Sequence, residues 1–270
     1  MVENDLSLGK KVSKTPLIIG HRGASAHAPE NTIAAFQLAI DCGANGVEFD
    51  VQLAADGVPV VIHDYDLRRT GGRNDKISAL TSTELTKIDV GSWFNKKHRT
   101  HTHAEFADER IPTLEHVLEL LKNSHGPIYI ELKCEIGEYK SLVRAVCEML
   151  ENSPMLKRII VKSFRLAVIP EVKCHLPSIQ TAALFEPSIM TILRRRSNII
   201  DIAREFGADQ ISLHYSLASA KLAAAASEAN MPVTIWTVDN PKWLKKCQDR
   251  GIGSIITNDP QLMLAAATEQ

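Results

Sequence analysis

From residue 17 to the end of the chain, short apolar runs alternate with longer stretches in which apolar residues recur at helical spacing. The runs fall at 17–20, 46–53, 59–63, 127–132, 159–162, 179–184, 210–213, 233–238 and 254–257, and each is short and β-prone enough to be a strand. Helical periodicity occupies 32–42, 114–122, 139–150, 199–206, 218–229 and 242–249. Repeated strand–helix units imply a parallel sheet, and eight of them close a barrel with an active-site mouth at the carboxyl ends of its strands. Nine runs for eight places leave one over. The link Ala54-Ala55-Asp56-Gly57 is too short for a parallel crossover and carries a turn signal, so the second and third runs are expected to join by a hairpin-like excursion.

The rhythm breaks once more. Residues 65–111, with Thr70-Gly71-Gly72-Arg73 and Trp93-Phe94, are too long for an ordinary strand-to-helix loop and are expected to form an insertion over the mouth. Residues 1–14 read as a polar tail without the apolar stretch of a secretory signal, and 15–270 as one domain. Apolar content of 44% and charged content of 23% are those of a soluble globular protein. A net charge of −1 gives no overall attraction to nucleic acid or an anionic membrane, and no apolar run approaches the ~20 residues that span a bilayer. Five scattered cysteines without a C-x-x-C pair argue against a disulfide framework and fit a reducing compartment, so a cytoplasmic location is expected.

Chemistry concentrates at the carboxyl ends of four runs: His21-Arg22-Gly23, Glu48-Phe49-Asp50, His63-Asp64 and Glu131-Leu132-Lys133. Residues two apart share a strand face, so Glu48 with Asp50, and Glu131 with Lys133, point to one side. Glu48, Asp50 and Glu131 are hard oxygen donors suited to Mg²⁺ or Ca²⁺. His21 and His63 suit a general acid–base pair, with either able to be the base. Arg22 and Lys133 suit phosphate contact. Two imidazoles, three carboxylates and two cations at one mouth suit metal-assisted phosphoester cleavage.

The ordered set resembles the glycerophosphodiester phosphodiesterase family. His21-Arg22-Gly23, Pro29-Glu30-Asn31-Thr32, Glu48-x-Asp50, Asp56-Gly57 and His63-Asp64 carry the likeness, with Arg110-Ile111-Pro112-Thr113-Leu114, Glu131-x-Lys133, Trp236-Thr237 and Thr257-Asn258-Asp259. The resemblance runs over about residues 17–262. It implies an α/β (β/α)8 TIM barrel of the phospholipase-C-like type, one divalent cation, and cleavage of glycerophosphodiesters to glycerol 3-phosphate and an alcohol. It also implies that Glu30 and Asn31 stand behind the groups that touch substrate. Trp236 is expected to wall the glycerol pocket, with Phe164 and His214 as further candidates.

Two other activities share these residues: lysophospholipase D-like cleavage of lysolipids, and a barrel that binds phosphate esters without turning them over. The first needs an apolar channel that Trp93, Phe94 and Phe106 do not obviously supply; the second has no reason to keep the whole catalytic set. His98, His101 and His103 lie in a polar run and read as a solvated loop, and Arg194-Arg195-Arg196 as a solvated face.

Overall fold

The protein is described by a computed structural model covering residues 15–98, 103–134, 139–188 and 199–269. The polar tail, His101 and the Arg194–Arg196 run lie outside the described residues. Its centre is a ring of parallel strands: β1 (Leu17–His21), β2 (Gly46–Leu53), β4 (Ile128–Leu132), β5 (Ile159–Ser163), β6 (Gln180–Phe185), β7 (Gln210–His214), β8 (Val233–Trp236) and β9 (Ser254–Thr257). Each pairs with the next in parallel, and pairing of β1 with both β9 and β2 closes the ring. The barrel and its class are those expected.

The surplus run is the third. β3 (Pro59–Val61) pairs antiparallel with the end of β2 and belongs to no parallel pair. The turn between them is built on Gly57, whose φ of 80° is a conformation glycine adopts without steric cost.

Alternation along the strands sets the two faces of the wall. Val47, Phe49 and Val51 of β2 and Ile128, Ile130 and Leu132 of β4 face outward into a core shared with the helices. Ile19, Tyr129, Ile160, Ala182 and Ile256 form a separate apolar plug inside the ring. Above that plug the inward positions turn polar, which makes a floor for the mouth.

Apart from the short helices within 65–111, two of the described helices escape the periodicity reading, Val168–His175 and Pro260–Thr268. Both carry proline, which reads as a breaker. Pro170 and Pro260 fall in the first turn, where the backbone N–H groups have no intrahelical partner to lose.

Past β3, the chain forms short helical turns around its own apolar cluster, which includes Ile62, Leu67, Ile77, Leu85, Ile88 and Ile111. Phe94 and Phe106 pack on Ala28 and Ala35 beside the barrel, which occupies the aromatics that a lipid channel would have needed. Entry and exit are joined at the base: Val61 N–H donates to the Pro112 carbonyl at 2.8 Å, and Val60 bridges Thr113. Among the described residues, no helix is long and apolar enough to cross a membrane.

Candidate active site

Strand register brings the predicted groups together. Asp50 lies opposite Glu131 across β2 and β4, and His21 opposite Glu48 across β1 and β2. One carboxylate oxygen from each of Glu48, Asp50 and Glu131 lies within 4.8 Å of the others, and all three residues are buried. Three like charges this close are tolerated only with cations among them. Lys133 Nζ bridges Glu131 Oε1 at 2.8 Å and Asp50 Oδ1 at 3.4 Å. Arg22 Nε stands 3.1 Å from Asp50 Oδ2. Three hard oxygen donors within 4.8 Å of one another are a set that could hold a divalent cation.

These ion pairs dominate the carboxyl equilibria. Burial pushes Asp50 upward, but Arg22, Lys133 and His63 outweigh it and hold the acid well below its usual range. Glu48 is likewise held low, by Lys162 and His21 against burial.

Arg22 is aimed by its backbone. It adopts φ 55°, unusual for a residue with a side chain, and its N–H donates to Glu48 Oε2 at 3.2 Å. Gly23 follows at φ 83°, and a Cβ there would lie 2.4 Å from the Ala35 carbonyl carbon. Arg22 therefore turns against the barrel in a place only glycine can follow. Glu30 receives Arg22 Nη1 at 2.7 Å and two bonds from Arg69, and Asn31 donates to Asp50 Oδ2 at 2.9 Å. Thr32 then caps the helix Ile33–Asp41 through the Ala35 N–H.

The two imidazoles are held differently. His21 Nδ1 lies 2.6 Å from Asn258 Oδ1. Asn258 Nδ2 donates to Asp239 Oδ2 at 2.7 Å, which fixes the amide with its oxygen toward the ring. That oxygen can only accept, so His21 carries its proton on Nδ1 and presents the Nε2 lone pair. Burial, reinforced by Arg22, pulls the His21 pKa below its ordinary 6.5. His63 Nδ1 instead meets a carboxylate, Asp64 Oδ1, at 2.7 Å. Asp64 is braced by Arg69 Nε at 2.6 Å. Gln52 Nε2 reaches the carbonyls of Ile62, His63 and Asp64 at 3.1, 3.0 and 2.8 Å and pins the segment that carries His63.

A cavity of about 610 Å³ opens beside this floor, lined among others by His63, Asp64, Glu131, Lys133, Phe164 and Arg165. Trp236 stands at the inner end of β8, edge-on to Phe164 and His214 with centroids 5.4 and 5.5 Å away.

A family model described as the glycerophosphoryl diester phosphodiesterase family matches residues 21–262. The chain belongs to this family. It is a phosphodiesterase of that kind, and the barrel, order of motifs and clustered carboxylates agree with membership. It is 31% identical over 250 residues to the glycerophosphodiester phosphodiesterase of Caldanaerobacter subterraneus, covering 92% of this chain and 96% of the relative. A human glycerophosphodiester phosphodiesterase 1 is 32% identical over 63% of this chain and 49% of its own. An Oleispira antarctica phosphodiesterase solved with the product sn-glycerol-3-phosphate superposes with a TM-score of 0.81 at 27% identity, covering 94% of this chain and 97% of that one.

All ten predicted site residues lie on this one end of the barrel, but Arg22 and Lys133 are engaged with carboxylates rather than free. Lys162, Arg69, Gln52 and the Asn258–Asp239 pair went unassigned in the sequence. Lys162 did carry a signal, as a lone cation inside the apolar run Ile159-Ile160-Val161.

Proposed function

We propose that the chain hydrolyses small glycerophosphodiesters to glycerol 3-phosphate and an alcohol, with one divalent cation, Mg²⁺ or Ca²⁺, held by Glu48, Asp50 and Glu131. The observation that carries the reading is the buried cluster of three carboxylates within 4.8 Å, beside two oriented imidazoles. The product bound by the Oleispira relative supports the glycerol 3-phosphate side of the reaction.

When bound, the cation supplies positive charge to a phosphate oxygen and lowers the cost of the charge that builds there. Arg22 and Lys133 exchange part of their carboxylate contacts for phosphate oxygens, Arg22 by its fork and Lys133 as a point charge. His21 is the base: its neutral Nε2 takes the proton of the attacking hydroxyl, from water or from the glycerol 2-position. His63, turned by Asp64, gives a proton to the departing alkoxide; where the 2-hydroxyl attacks, water then opens the cyclic phosphate with the two imidazoles in exchanged roles, and where water attacks, His21 releases its proton to solvent and His63 takes one up. Asn258 and Asp239 keep His21 in the accepting tautomer, and Glu30 and Asn31 hold Arg22 and Asp50. Trp236 and Phe164 wall the glycerol.

Glycerol 3-phosphate release from glycerophosphocholine, with Mg²⁺, with Ca²⁺ and with EDTA, tests this directly. Turnover restored by the ion and lost in His21→Ala and His63→Ala is expected. Turnover of a broad diester panel that is unchanged by EDTA, or unchanged in both variants, overturns the proposal.

A further inference from the structure

The three cations on the carboxylates are not equivalent. Lys133 and Arg22 are 14% and 17% exposed, at the rim, where a substrate can reach them. Lys162 is 2% exposed and lies beneath them. Its position follows from register: Asp50, Glu131 and Lys162 stand side by side across β2, β4 and β5, so the ammonium rises from the same inward row as two of the carboxylates. Lys162 Nζ is 2.8 Å from Glu48 Oε1 and 3.7 Å from Glu131 Oε2, while Lys133 holds the other oxygen of Glu131. Lys162 Nζ is thus covered by the carboxylates it pairs with, away from the rim.

We infer that Lys162 is a resident counter-ion, a positioning residue that underlies Glu48 and Glu131 and brings the cation-loaded floor to zero net charge. The accounting is short. Three carboxylates carry three negative charges, a divalent ion offsets two, and Lys162 offsets the third. Lys133 then has no floor charge left to neutralise and Arg22 only the Glu30 contact it shares with Arg69, so both can serve the phosphate anion. Without Lys162, one of them would be kept on the floor. Its fixed positive charge also opposes the incoming ion, so it trades ion affinity for anion affinity. The inference rests on the metal reading above.

The test replaces Lys162 by methionine, which removes the charge and fills the space, and by glutamine, which keeps a donor for Glu48 without the charge. Calorimetric titration of the apo proteins with Ca²⁺ alone reads ion affinity. Both K162M and K162Q are expected to bind Ca²⁺ at least about tenfold more tightly than the parent, since a charge within a few ångströms of the ion is removed. With the ion saturating, both should bind glycerol 3-phosphate severalfold more weakly. The ion-induced rise in Tm should be larger in the variants than in the parent. A purely structural role would weaken Ca²⁺ binding in K162M and leave K162Q like the parent, and that result, or unaltered affinity in both, overturns the inference. A K162M protein that folds only when Ca²⁺ is present counts in favour; one unfolded with and without the ion, beside a K162Q that binds no more tightly than the parent, counts against. If the parent binds neither Ca²⁺ nor Mg²⁺, the metal reading itself falls and takes this inference with it. Parent binding with unaltered variants refutes the role of Lys162 alone.

Discussion

Gln52 offers the sharpest test of how His63 is held. The side chain is 4% exposed, and its two amide protons are shared among the carbonyls of Ile62, His63 and Asp64. Gln52→Leu keeps the approximate volume and removes every donor. Two lost hydrogen bonds cost about 1 kcal/mol each, and stranding buried carbonyls adds about 1–3 kcal/mol, so a total near 3–5 kcal/mol is expected. With a slope of about 3 kcal/mol per molar, the urea midpoint should fall by about 1–1.7 M if the loss is global. If the segment opens locally instead, the midpoint holds and catalysis takes the loss. A 1 Å displacement of a reacting group costs about a hundredfold, so kcat should drop on that scale while KM for glycerophosphocholine changes little. Urea unfolding and steady-state kinetics on the same preparation separate the two routes. A variant with both the parent midpoint and the parent kcat refutes the claim that Gln52 positions His63.

Three further outcomes follow from the geometry. Because burial and Arg22 lower the His21 pKa, the neutral base persists below its ordinary 6.5. The acidic limb of a kcat/KM–pH profile should therefore lie under that value, and a limb above it contradicts the assignment of His21 as base. The same sign governs stability: the unfolded chain takes up a proton at His21 first, so stability declines as pH falls through 6.5 and on toward the lowered folded value. Gly23→Ala should cripple both folding and activity, since its φ of 83° disfavours a side chain and the new Cβ would strike the Ala35 backbone; near-parent thermal unfolding would contradict that turn. In a thermal-shift series, Glu131→Gln should lose most of the Mg²⁺- or Ca²⁺-induced rise in Tm, and an undiminished rise would remove Glu131 from the ligand set.

The barrel was legible because short β-prone runs alternate with stretches of helical period, so that period separates the elements, and because Asp56-Gly57 announces its own turn. The carboxylates were legible from period too: a period of two places Glu48 with Asp50 and Glu131 with Lys133 before any neighbour is known. What escaped is what depends on register between strands or on contacts across the mouth. Nothing local to Lys162 says that it stands beside Glu131, because that adjacency is made by pairing β4 with β5. Arg69 meets Glu30 across 39 residues and Asn258 meets His21 across 237, distances over which composition and period carry no information. Nothing in the sequence separates the proposed base from the proposed acid; that proposal draws on the partners of the two Nδ1 atoms.

The hydrogen bond between Val61 and Pro112 turns the segment beyond β3 into a closed appendage. Its two ends leave the barrel at almost the same point, and it has an apolar cluster of its own, so its length and sequence can change with little loop-closure cost to the ring. Glu48, Asp50, Glu131, His21 and Lys162 all stand on the barrel strands, whereas His63, Asp64, Tyr65, Asp66 and Arg69 come from the appendage. The proposed base and the proposed acid are thereby carried by different parts, His21 by the ring and His63 by the appendage. A grafted appendage must therefore keep the clasp, the 62–64 segment pinned by Gln52 and the Arg69 contacts, and only its outer turns are free to vary.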